Sequence, residues 1–191
     1  MHLTSQVKGG KSLADSLEGD PNFLELVPSM LRIGEQSGSV EEMLARTADY
    51  YEKEVDKFKA KKYEFEQKEI QEYVKQNNIT TPPLEDGVYI IETKKGKGRS
   101  VLYDMHVGVR YSGRFLNGKI FDTNENKSEL YHFWVGHDEV IFGWDEAVQH
   151  MNVGGKATVI VPSRYAYGER GSGPIAPYTP LVFDIEVVEL K

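Results

Sequence analysis

Between residues 88 and 190 most apolar segments alternate or run short, as strands do, and one stretch, residues 139–151, breaks that pattern. Its Ala147, Val148 and Met151 fall three and four apart, which predicts a short helix with one buried stripe pressed onto a sheet. Asp145, Glu146 and Gln149 are expected to face water. Trp144 stands at the helix start, just after Val140 and Ile141. That grouping supplies the floor and wall of an apolar pocket, with an indole N–H that still needs a partner.

The flanking segments read as strands over residues 88–92, 105–111, 120–124, 129–135, 156–161 and 181–190. Val107, Val109 and Tyr111 share one face, as do Leu181, Phe183, Ile185 and Val187. Asn117-Gly118 signals a hairpin turn. Residues 162–180 form a long loop rich in Gly, Pro and Tyr. Antiparallel strands with one packed helix give an α+β domain, and Pro82-Pro83 followed by Asp86-Gly87 marks its beginning, because helix does not easily continue into such a pair.

Four further motifs stand in register with the helix: Val109-Arg110-Tyr111-Ser112-Gly113, Gly118-Lys119-Ile120-Phe121-Asp122-Thr123, Tyr165-Ala166-Tyr167-Gly168 and Leu181-Val182-Phe183-Asp184-Ile185-Glu186. With residues 139–151 they resemble, over about residues 85–191, the FKBP-type peptidyl-prolyl cis-trans isomerases. The resemblance implies a twisted antiparallel sheet wrapped round a short helix, with the substrate pocket between them. It implies an enzyme that rotates X–Pro bonds in protein substrates and assists folding, and macrolide inhibitors as candidate ligands. Tyr111, Phe121, Tyr131, Val140, Ile141, Trp144, Ile175 and Phe183 are then expected around the prolyl ring. Tyr167 would donate its hydroxyl to a substrate carbonyl, and Asp122 would orient pocket groups or polarise the bound amide. Core packing remains open for Tyr111 and Phe183, and a turn role for Asp122. Tyr165 and Tyr167 alternate, so only one faces the pocket, and the motif favours Tyr167. Such catalysis needs no cofactor, and the spacing of the five histidines fits no zinc motif, so no metal is expected.

Composition narrows the partners. A net charge of −7 disfavours nucleic acid, and the absence of cysteine excludes disulfides and thiolate chemistry. No apolar run approaches the ~20 residues of a membrane span. As written, the chain is expected in the cytoplasm, or in the periplasm if a leader has been removed.

The first third reads as helical. Ser12 with Asp15 resembles a capping box, Gly19 stops that helix, and Asp20-Pro21 begins a second that Ser37-Gly38 ends. Ser39 with Glu42 opens a third, along which Val40, Leu44, Ala48, Tyr51, Val55 and Phe58 form one apolar stripe. From about residue 57 to 80 the helix is charged and is expected to project as a connecting stalk, separating a helical module over residues 1–56 from the isomerase domain over residues 81–191. Gly34-Glu35-Gln36-Ser37-Gly38 and its surroundings, about residues 10–56, are similar to part of the cytoplasmic domain of inner-membrane platform proteins of type II secretion and type IV pilus machines. Phe23, Val27, Met30, Leu44, Tyr51 and Val55 suggest a homodimer, since so short a helical region has little apolar surface for a core of its own. The alternative to an enzyme is a scaffold that grips proline-containing chains while the helices dock on a secretion or pilus partner.

Overall fold

A computed structural model describes residues 10–20, 24 and 26–191, and the chain divides between Lys61 and Lys62 into two compact units. The expected helix start at Asp20-Pro21 and the candidate interface residue Phe23 fall on or beside positions outside the described residues.

In the first unit α1 is Leu13–Leu17 and α2 is Leu26–Ser37. The Ser12 hydroxyl accepts from the Asp15 amide at 3.0 Å, capping α1 as its sequence requires. Ala14, Leu17 and Leu31 form a small core to which Leu13, Val27 and Val40 add. Gly34 lets the chain fold back on itself: a Cβ there would lie 2.9 Å from the Val40 Cα and 3.1 Å from Met43 side-chain atoms. The third helix, α3, is Val40–Gln76, and it runs through both units. Its apolar stripe is partly exposed: Leu44, Val55 and Phe58 are 42%, 50% and 55% exposed.

The second unit starts within α3. Residues 57–80, read from the sequence as a stalk, do not stand clear along their whole length. Ile70, with Tyr73, Val74 and Ile79, covers Ile160, Val182, Tyr89, Ile91 and Leu116 on the sheet. The dense charge around this stripe hid it, because three apolar residues on one helical face suffice once a sheet offers its own. The strands are β1 Tyr89–Lys94, β2 His106–Phe115, β3 Ile120–Thr123, β4 Tyr131–Trp134, β5 Lys156–Val161 and β6 Leu181–Leu190. The sheet order is β1-β5-β6-β2-β3, with β4 pairing the first half of β2, and every pairing is antiparallel. The Gly118 amide donates to the Phe115 carbonyl at 2.9 Å, closing the Asn-Gly hairpin between β2 and β3.

The short helix, α4, is Phe142–Gln149. Ala147, Val148 and Met151 are buried against the sheet, where Val107, Val109, Val159, Leu181, Ile185 and Val187 complete the main core. Asp145, expected in water, is instead buried, and its Oδ1 accepts the Gly136 amide at 2.8 Å. The turn after β4 lies over that side of α4 and needs an acceptor for its N–H. Among the described residues no helix is long and apolar enough to cross a membrane.

Candidate active site

The seam between α4 and the sheet opens into a cavity of about 520 Å³. Strand β2 brings Tyr111 to it, β3 brings Phe121 and Asp122, β4 brings Tyr131, and β6 brings Phe183. Val140, Ile141 and Trp144 come from the start of α4, and Tyr167 from the loop after β5. Ile175 is not among the lining residues. It is 6% exposed and packs within the main core, so of the residues expected around a prolyl ring it alone is absent from the lining. The backbone of Ile175 exchanges hydrogen bonds with Ser172, which turns the loop inward at that point.

Trp144 forms the floor. Its ring meets Tyr111, Tyr131 and Phe183 edge-on, at centroid distances of 4.8, 6.0 and 5.3 Å. Edge-to-face contacts of this kind hold rings at fixed angles, so the cavity keeps its shape without a ligand. Phe121 stands perpendicular to Phe183 at 5.8 Å. Both rings lie over Gly113, where a Cβ would come within 2.8 Å of each, so no side chain fits there. The indole Nε1 is the one buried side-chain nitrogen or oxygen among the described residues without a hydrogen-bond partner.

The polar groups sit at one side. The Tyr111 hydroxyl donates to Asp122 Oδ2 at 2.6 Å, while the Tyr167 hydroxyl finds no hydrogen-bond partner among the described residues. Tyr165, the alternating neighbour, turns away and packs on Phe142 at 5.2 Å. The N–H groups opening α4, at Phe142 and Gly143, precede the first intrahelical donor, Trp144, whose amide reaches the Ile141 carbonyl at 2.9 Å. The sequence marks Asn124 only as the end of a strand. It is 3% exposed, its Oδ1 accepts from the Tyr111 amide at 2.8 Å, and its Nδ2 donates to the Val109 carbonyl at 3.0 Å. One amide side chain thus does the work of a neighbouring strand where β3 has ended. Glu139, Phe142 and Ala166 also line the cavity and were not singled out from sequence. Phe142 lies within the stretch that nominated Trp144, but its helical position gave no reason to expect it half exposed. No group of three or more His, Asp or Glu side chains among the described residues is placed to hold a metal ion.

Burial pushes the Tyr111 hydroxyl well above the ordinary phenol range, and the hydrogen bond to Asp122 and its charge push it further. Tyr167 moves the same way, through burial and then the charge of Asp122. A phenol whose folded pKa is raised favours the folded state below its unfolded value of about 10, and that contribution is lost as pH rises through the folded value. In an alkaline titration followed at 295 nm, Tyr111 is therefore expected to ionise only beyond the exposed tyrosines, together with unfolding. Tyr111→Phe should remove the latest phase of the curve. Superimposable late phases in the two proteins would contradict the assignment.

Residues 98–188 match the family described as FKBP-type peptidyl-prolyl cis-trans isomerase. The solved peptidyl-prolyl cis-trans isomerase of Pseudomonas syringae pv. tomato superposes with a TM-score of 0.60 at 34% identity, over 70% of this chain and 96% of that one. The chain belongs to the FKBP-type peptidyl-prolyl cis-trans isomerases. The FKBP-type fold is shared with AtFKBP13, at a TM-score of 0.54 and 31% identity over 57% of this chain and 97% of that one. FK506-binding protein 3 of Yarrowia lipolytica is 43% identical over 113 residues, 59% of this chain, and FK506-binding protein 4 of Saccharomyces cerevisiae is 40% identical over 111 residues, 58% of it. The chain spans 28% of the length of each of these two curated relatives. Ahead of the FKBP-type segment, residues 1–65 match the family described as type II secretion system protein F.

Proposed function

We propose that this chain catalyses cis-trans rotation about X–Pro bonds in polypeptides and so assists their folding. The observation that carries the reading is the cavity itself, lined by seven aromatic rings, three of them phenols, with the carboxylates of Asp122 and Glu139 beside them. The uncatalysed barrier, about 18–20 kcal/mol, arises because the amide keeps its resonance only while planar. A site that binds the twisted amide better than either planar form lowers that barrier without covalent chemistry. Trp144, Tyr131 and Phe183 hold the prolyl ring away from water. As the bond twists, the carbonyl oxygen is freed to take donors, and those in a water-poor site act more strongly than in solution. The Tyr167 hydroxyl is such a donor. Tyr111 is already committed to Asp122, which fixes both groups on the cavity wall.

A protease-coupled assay on a short X-Pro-Phe peptide tests this. Tyr167→Phe removes one neutral donor and should lower kcat/KM two- to tenfold, the worth of about 0.5–1.5 kcal/mol. Asp122→Ala strips a charged acceptor from Tyr111 and should cost about ten- to a hundredfold, since hydrogen bonds to charged groups are worth about 1.5–3 kcal/mol. An intact protein with no turnover above the spontaneous rate would leave proline-peptide binding as the function of the cavity.

The cavity is also where a macrolide of the FK506 type would compete, as the names of the relatives suggest for those proteins. The exposed apolar side chains of Leu44 and Val55 support self-association through the first unit. Light scattering at micromolar concentration should then give twice the mass of the 191-residue chain. Leu44→Glu with Val55→Glu should halve it, and a monomeric parent protein would end that reading.

A further inference from the structure

Glu66 is the most deeply buried carboxylate among the described residues, 1% exposed in the middle of an otherwise charged helix. Its Oε2 accepts from the Ser163 hydroxyl at 2.6 Å, and its Oε1 accepts from the Ser163 amide. Ser163 is itself 1% exposed and opens the 3₁₀ turn Ser163–Tyr165 directly after β5. The Ser163 carbonyl then accepts from the Ala166 amide at 2.9 Å and from the Gly168 amide at 2.7 Å. Those two bonds bracket Ala166 and Tyr167, the residues this loop contributes to the cavity.

Two further contacts from one turn earlier in α3 grip the same loop. The Arg164 guanidinium lies 4.7 Å above the Tyr63 ring, and Tyr178 meets that ring edge-on at 5.2 Å. Tyr178 in turn donates its amide to the Gly168 carbonyl at 2.9 Å. Both ends of the segment that presents Tyr167 are thus tied to α3, at residues that precede the matched family segment by about thirty positions.

We propose that Glu66 is a positioning residue for the isomerase site, acting through Ser163 to set where Ala166 and Tyr167 stand in the cavity. The proposal rests on the isomerase reading above. A carboxylate suits the role, because it accepts two bonds from one serine at once and gives neither up cheaply once buried. Its chemistry is unlike a salt bridge, for what it holds is a backbone amide, and so a point on the main chain.

The test uses the full chain with Glu66→Ala, Glu66→Asp and Glu66→Gln, reading kcat and KM separately and the amide hydrogen exchange of Ala166 and Gly168. Glu66→Ala should lower kcat/KM about tenfold, mainly through kcat, and speed exchange at both amides while β2 stays protected. Glu66→Asp, one methylene short, should fall between alanine and the parent and serves if the alanine variant does not fold. Glu66→Gln, with the same reach and one oxygen to accept the amide, should restore most of both readouts. Unchanged exchange at Ala166 and Gly168 in a folded Glu66→Ala or Glu66→Asp protein would overturn the proposal, as would a loosened loop with unchanged kcat. A parent protein without turnover would overturn the isomerase reading instead, and the exchange together with the affinity for a proline peptide would still judge the clamp.

Discussion

Trp144→Ala should remove about 3–5 kcal/mol of folding free energy, at the upper end of single core substitutions, and take turnover below detection. Trp144 is 5% exposed and its ring is touched by Tyr111, Tyr131, Phe133 and Phe183. Alanine would leave four aromatic neighbours facing a void that the two-layer packing of α4 on the sheet cannot close, since neighbouring Ala147 and Val148 are already seated. Urea unfolding checks the stability, with an unchanged m-value showing that the loss is in the folded state. Trp144→Leu separates the two effects: it retains most of the apolar contact but none of the flat floor, so it should fold and still lose activity. An alanine variant with a loss below about 1 kcal/mol would mean that the ring packs loosely, and the cavity would not be the rigid box described.

The second large effect is expected at Asn124, a residue with no part in binding. Asn124→Ala strands the Tyr111 N–H and the Val109 carbonyl, both buried on β2. Each unmade bond costs about 1–3 kcal/mol, so about 2–6 kcal/mol in all is expected from the pair. Asn124→Asp is the telling control. It keeps the acceptor for Tyr111 but turns the donor toward Val109 into a second acceptor, so about half the loss should return, along with the cost of a buried charge. Thermal and urea unfolding of both variants would settle it. Equal stability of Asn124→Ala and the parent would show that water replaces the amide at no cost.

Much of this fold was legible because its signals were local. Alternation at Val107, Val109 and Tyr111, the Asn117-Gly118 turn and the stripe of Ala147, Val148 and Met151 each declare one element from its own neighbours. The cavity was legible for another reason: its motifs carry a family resemblance, and nine of the ten residues nominated on that ground, Asp122 among them, line one cavity beside α4, whereas Ile175 packs in the core. What sequence could not show was pairing across distance. Ile70 and Tyr73 look like breaks in a charged helix until Ile160 and Val182 are opposite them. Asp145 looks like a solvent residue until the Gly136 amide is brought to it. Glu66 is one glutamate among many in α3, and nothing near it in the chain marks it as the one that meets Ser163.

The two tryptophans lie in opposite surroundings. Trp144 is buried among rings at the cavity floor, while Trp134, on β4, is 44% exposed beside His106. The buried indole is therefore expected to emit at a shorter wavelength than the exposed one. A proline ring or a macrolide entering the cavity should alter only the first. The protein carries its own occupancy gauge, complete with an internal standard, and binding can be read in unlabelled solution from the ratio of two colours.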